Sequence, residues 1–137
     1  MTTKEYLSQA KFLDQRISSK IRQVAALNDL ATKATSTLTG MPRNPSRATS
    51  PMEDAIAKII DLQAEINSDI DRLVDLKRDI SGVIKAVGSI EYQTLLEKRY
   101  LCFLPWEQIA VDMGYDLRYL HKLHRCALKD CKISAVS

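Results

Sequence analysis

The chain has 137 residues, 45% of them hydrophobic, with four glycines, four prolines, two phenylalanines and a net charge of +3. That composition argues against a strand-rich sandwich and against a sheet carrying Gly-rich phosphate loops, which leaves an all-α fold as the economical reading. The charge is uneven: residues 1–51 carry eight Lys/Arg against three Asp/Glu, residues 52–88 five against eight, and residues 89–137 seven against six.

Tyr6, Ala10, Leu13, Ile17, Ile21, Val24, Leu27, Ala31, Ala34 and Leu38 recur at three- and four-residue steps. This spacing predicts a helix from Thr3 to Leu38, about nine turns long. A linker follows from Thr39 to Ser50, where Gly40, Pro42, Pro45, Ser46 and Arg47 supply breakers and polarity. Ser50-Pro51 with Glu53 and Asp54 reads as a helix start: a capping side chain, proline at the first helical position, and acids near the positive end of the dipole. The second helix continues through Met52, Ile56, Ile59, Ile66, Ile70, Leu73, Ile80, Ile84 and Val87, with Leu62 and Leu76 beside the seam, and stops at Gly88.

Two long helices with one apolar stripe each must bury those stripes against one another or another chain. The first is basic and the second acidic, so an antiparallel, coiled-coil-like hairpin of residues 1–88 is the expected arrangement, with arms of about 50 Å. Asp69, Asp71, Asp75 and Asp79 are expected as a solvated or ion-paired edge, with docking of a basic partner as the alternative.

Residues 89–137 are expected as a separate domain. Ser89 caps a helix from Ile90 to Leu101, Pro105 opens another through Trp106, Ile109, Ala110 and Met113, and Gly114 ends it. Asp116 then caps a last helix from Leu117 to Cys131. On that helix Arg118, Lys122, Arg125, Lys129 and Lys132 fall within about 80°, opposite Leu120, Leu123 and Ala127, so one face docks and the other meets anions. Trp106 reads as the anchor of a small core, and Cys102 beside Phe103 as packing.

Leu95-Leu96-Glu97-Lys98-Arg99-Tyr100-Leu101, Trp106-Glu107-Gln108-Ile109-Ala110, Met113-Gly114-Tyr115 and the run from Leu120 to Leu128 resemble the helix-turn-helix of region 4 of bacterial sigma factors. Together with Lys4-Glu5-Tyr6-Leu7, Leu13-Asp14-Gln15-Arg16-Ile17, Met41-Pro42 and the run Asp54 to Leu62, the chain resembles small sigma-region-4-like phage and prophage proteins of Gram-positive bacteria. That family is related to the RinA and ArpU types of late-gene regulator. The resemblance implies a transcriptional regulator that binds promoter DNA, with Leu117, Arg118, His121 and Lys122 at the base-reading positions. Arg118 can grip guanine through two hydrogen bonds, Leu117 can touch a thymine methyl, and Arg125 and Lys129 are placed for phosphate.

The expected partners are double-stranded DNA, a second copy of the chain in a dimer, and RNA polymerase; no membrane, cofactor or metal is expected. Two other readings stand beside this one: a small-terminase-like protein marking phage DNA for packaging, and an adaptor that grips polymerase or a sigma factor without touching DNA. His121, His124, Cys126 and Cys131 include zinc-ligand types, but Cys126 points away from the two histidines on a helical wheel, so one helix cannot close a site. No catalytic residues are expected, since neither a nucleophile elbow nor a phosphate loop is present. Cys102, Cys126 and Cys131 lack a disulfide-framework spacing, no apolar run reaches the roughly 18 residues of a membrane helix, and the N-terminal residues lack a signal-peptide core. These features predict a cytoplasmic protein with reduced thiols.

Overall fold

The structure, a computed structural model, describes residues 1–38 and 45–132, with side chains at 1–33 and 51–132. Every regular element among the described residues is helical: α1 (Thr3–Leu38), α2 (Pro45–Lys85), α3 (Ile90–Leu96), α4 (Trp106–Met113) and α5 (Leu117–Asp130). The protein is all-α. Residues 39–44 of the expected linker and the terminal residues 133–137 lie outside the described residues.

Three boundaries differ from expectation. Helix α2 starts at Pro45 rather than Pro51, so residues 45–50 belong to the helix and Pro51 stands inside it. Proline at position 45 has the same preset φ that suits a first helical residue, while Pro51, lacking an N–H, leaves one intrahelical bond unmade. Helix α2 ends at Lys85, two residues before the expected Val87, and the chain turns there before Gly88. Beyond α3 the helix widens into a π-turn over Glu97–Leu101, in which the Cys102 N–H reaches the Glu97 carbonyl at 3.0 Å. Phe103 follows at φ 59°, a left-handed conformation that costs a residue with a side chain, and Pro105 keeps Leu104 from re-entering the helix. The Arg99 guanidinium donates to the Leu104 carbonyl at 3.0 Å, and the Lys77 ammonium lies 4.7 Å from the centre of the Phe103 ring. Cys102, expected to pack, is exposed at the end of this turn.

By its contacts the chain divides into two compact units, residues 1–14 with 73–137, and residues 15–72. The division does not coincide with the expected domain boundary at 88/89, because residues of the long helices share a core with the short ones. In the first unit Leu7, Ala10, Ile80, Ile84 and Val87 are buried with Leu96, Tyr100, Ala127 and Cys131. A second cluster joins Leu95, Ile109, Ala110, Leu120 and Leu123, with Trp106, Met113 and Tyr115 packed on it. The neighbours Leu95 and Leu96 thus serve different clusters, and the buried side of α5 runs from one to the other: Leu120 and Leu123 in the second, Ala127 in the first. Complete burial of a leucine or isoleucine is worth about 2 kcal/mol, so these clusters hold the short helices.

In the second unit the two helical segments run antiparallel. Arg16 and Lys20 meet Asp69, Lys20 also reaches Glu65, and Leu27, Leu30 and Lys33 line a groove with Pro51, Asp54, Ala55 and Lys58. The Lys20 ammonium donates to Asp69 Oδ2 at 2.6 Å, and both residues are buried. This pair moves the seam away from its expected line. Lys20 takes the place assigned to Ile21, which is 51% exposed; Leu62 is buried, whereas Ile56 and Ile70 are exposed. Asp69 is therefore not part of an acidic edge but a buried partner of Lys20. Its hydrogen bond to Lys20 outweighs burial and holds the carboxyl below its usual range.

Candidate nucleic-acid interface

Helix α5 is set at both ends by local chemistry. The Asp116 carboxylate accepts the Tyr119 N–H at 2.7 Å, satisfying one of the free donors of the first turn. Before it, Gly114 takes φ 74° and closes α4, with its N–H donating to the Ala110 carbonyl at 2.9 Å. Only glycine takes that conformation without strain, which is why the three-residue turn from α4 to α5 sits where it does. Ser89 caps α3 in the same way as Asp116 caps α5, accepting the Tyr92 N–H at 3.3 Å.

The side of α5 that packs inward carries Leu120, Leu123, His124 and Ala127. Leu117, Arg118, His121, Lys122, Arg125 and Lys129 are all exposed. On a 100° wheel the centre of Arg118, Lys122, Arg125 and Lys129 lies nearly opposite the centre of the buried set. None of these four cations pairs with a carboxylate of the described residues; the ion pairs of the first unit are Arg78 with Asp75 and Lys98 with Asp112.

Arg118, Lys122 and Arg125 come together around one open groove of about 750 Å³, which Tyr92 of α3 lines together with Tyr119, Leu123 and Cys126. The one carboxylate in it, Asp116, is engaged in its cap. Lys129 is not at this groove. It lines a shallower hollow of about 340 Å³ with Thr2, Thr3, Lys4, Leu128 and Cys131, so a second cation from the start of the chain joins it. Leu117 is 40% exposed at the start of α5. His121 stands on the exposed surface with its ring 4.9 Å from that of Trp106.

Trp106 is held from several sides. The Arg99 guanidinium lies 4.5 Å from its ring centre, and the rings of His121 and His124 approach it at 4.9 and 4.6 Å. His124 is buried and 2.6 Å from the Tyr100 hydroxyl. Burial first, then the charges of Lys4 and Arg99, lower its pKa to about 4, while burial raises Tyr100 to about 12. At neutral pH the phenol is therefore the donor and the neutral imidazole Nε2 the acceptor. This bond ties α5 to the π-turn and leaves His124 outside the exposed cationic surface. Among the described residues no group of three or more His, Cys, Asp or Glu side chains could hold a metal ion, and no helix is long and apolar enough to cross a membrane.

Three groups at this surface were not among the expected site residues. Lys4 reaches it from more than a hundred residues away in sequence, a contact no local pattern contains. Tyr92 and Tyr119 flank the groove; Tyr119 carried a signal in its place on the exposed side of a capped helix, next to Arg118. Comparison with protein-family models, curated proteins and solved structures finds no match.

Proposed function

We propose that the protein is a sequence-specific DNA-binding transcriptional regulator that enters the major groove of promoter DNA with α5. The observation that carries this reading is the set of four cations, Arg118, Lys122, Arg125 and Lys129, standing opposite the buried side of one capped helix without a carboxylate partner among the described residues. Phosphates are the chemistry such a surface fits, and a duplex is a partner long enough to meet all four. In this reading α4 and α5 act as a helix-turn-helix. Arg118, His121 and Lys122 read bases, Leu117 meets a thymine methyl, and Arg125 and Lys129 grip phosphates, with Lys4 beside Lys129. The phage or prophage setting follows from the sequence resemblance, and a cytoplasmic location and contact with RNA polymerase belong to the same reading. Exposed Ile56, Ile60 and Ile70 in the second unit favour association with a second copy, which would let a dimer read two half-sites.

The test is selection of the full chain against a pool of random duplexes, followed by binding of the winner and a scrambled duplex across a salt series. An enriched motif bound far more tightly than the scramble, with affinity falling as salt rises, supports the reading. No enrichment together with no salt-dependent binding overturns it. Arg118→Ala should cost about 1–3 kcal/mol on the selected site and relax preference at one position, whereas Lys129→Ala should weaken all sequences alike and reduce the salt slope by about one. Equal losses across sequences for Arg118→Ala would remove direct readout by that residue.

A further inference from the structure

Tyr119 is 41% exposed, yet its position is fixed at both ends. Its N–H is held by the Asp116 carboxylate at 2.7 Å, and its ring lies on that of Tyr115 with centroids 4.7 Å apart and planes 17° from parallel. Tyr115 is anchored in turn, because its hydroxyl donates to Glu91 Oε2 at 2.8 Å across to α3. The Glu91 carboxylate, as acceptor, raises the Tyr115 pKa and keeps that phenol a donor. The Tyr119 hydroxyl itself has no hydrogen-bond partner among the described residues. A rigid aromatic side chain with a free donor, beside Arg118 and Lys122 on the same groove, loses little freedom when it binds.

Its direction decides what it meets. Tyr119 lies about 90° around α5 from the centre of the cationic stripe. When the base-reading Arg118 and Lys122 of that stripe face the floor of a major groove, Tyr119, about 80° around the helix from their midpoint, faces the wall, where the phosphodiesters run. We infer that the Tyr119 hydroxyl donates to a backbone phosphate of duplex DNA, with Tyr115 and Glu91 as positioning residues. This rests on the DNA-binding reading above and adds to it a neutral phosphate contact.

A neutral donor releases no counterion, which separates it from a lysine in the measurement. Binding of full-length protein to the selected duplex and to its scramble is followed across a salt series. Tyr119→Phe, which keeps the stacked ring, should weaken both complexes about tenfold and leave the salt slope unchanged. Lys122→Ala, the charged control, should reduce that slope by about one. Tyr115→Phe keeps the stack but loses Glu91, and should weaken binding about threefold. Combined with Tyr119→Phe it should add nothing, since it acts through the missing hydroxyl; an additive loss would mark Tyr115 as merely structural. Binding of Tyr119→Phe equal to the parent, or a loss confined to the selected duplex, overturns the phosphate contact while the DNA-binding reading stands. A parent that binds neither duplex removes both.

Discussion

The two compact units of this chain solve the same problem, holding helices together, by different means. In residues 15–72 two long segments are fastened along a narrow seam that includes a buried ion pair, Lys20 with Asp69, flanked by Ile17 and Leu62. In the first unit short helices are punctuated by Ser89, Gly114 and Asp116 and meet in two apolar clusters, with the buried polar contact a neutral one, Tyr100 with His124. A charge pair fixes register strongly but gains little over an apolar contact, whereas clusters built from several directions fix the orientation of one helix. The lesson is that the second kind of packing is what allows α5 to spend its whole outer side on cations.

The largest effect that would test this contrast is Leu120→Ala. Leu120 is fully buried in the second cluster, and the substitution should cost about 3 kcal/mol in denaturant unfolding. Amide exchange should show protection lost first in α4 and α5; even loss throughout the chain would mean that the two units do not differ in the way described. Next comes pH. His124 titrates at about 4 when folded against an ordinary 6.5, so between those values the unfolded chain binds the proton and the folded one does not. Stability contributed there is nearly complete above pH 6.5, falls by about 3 kcal/mol as pH drops to 4, and levels off below. His124→Phe should flatten that part of the stability profile.

Asp69 behaves differently, because its carboxyl is held below the ordinary range. Its contribution is present at neutral pH and is lost only as pH falls beneath that range, so acid should loosen the first unit before the second. The smallest of these effects is expected at the pair itself. Lys20→Met should lower the unfolding midpoint by leaving Asp69 with only the longer contact to Arg16 at 3.8 Å, and adding Asp69→Leu should restore it. A neutral Lys20→Met would show that the pair does not hold the seam.

How much of this was legible in the sequence follows the same division. The limits of α1, α4 and α5 were readable because caps, Gly114 and periodicity are local signals, and the exposed side of α5 followed from spacing alone. The seam of α2 was not, because two apolar lines compete on that helix. Ile56 and Ile70 make the more hydrophobic one, yet the buried line is chosen by Lys20, which needs Asp69. The π-turn at Glu97–Leu101 and the left-handed Phe103 have no local signature beyond Pro105. Of the site, six residues on one helix were accessible to a wheel, whereas Lys4 beside Lys129 and the Tyr119–Tyr115–Glu91 chain exist only once α1, α3 and α5 are folded together.

Trp106 is the single tryptophan of the chain, and its ring lies against His121, a residue of the outward surface of α5. Whatever displaces or immobilises that imidazole alters the surroundings of the indole. The protein therefore carries an intrinsic optical probe a few ångströms from its candidate interface, readable by emission intensity without a label.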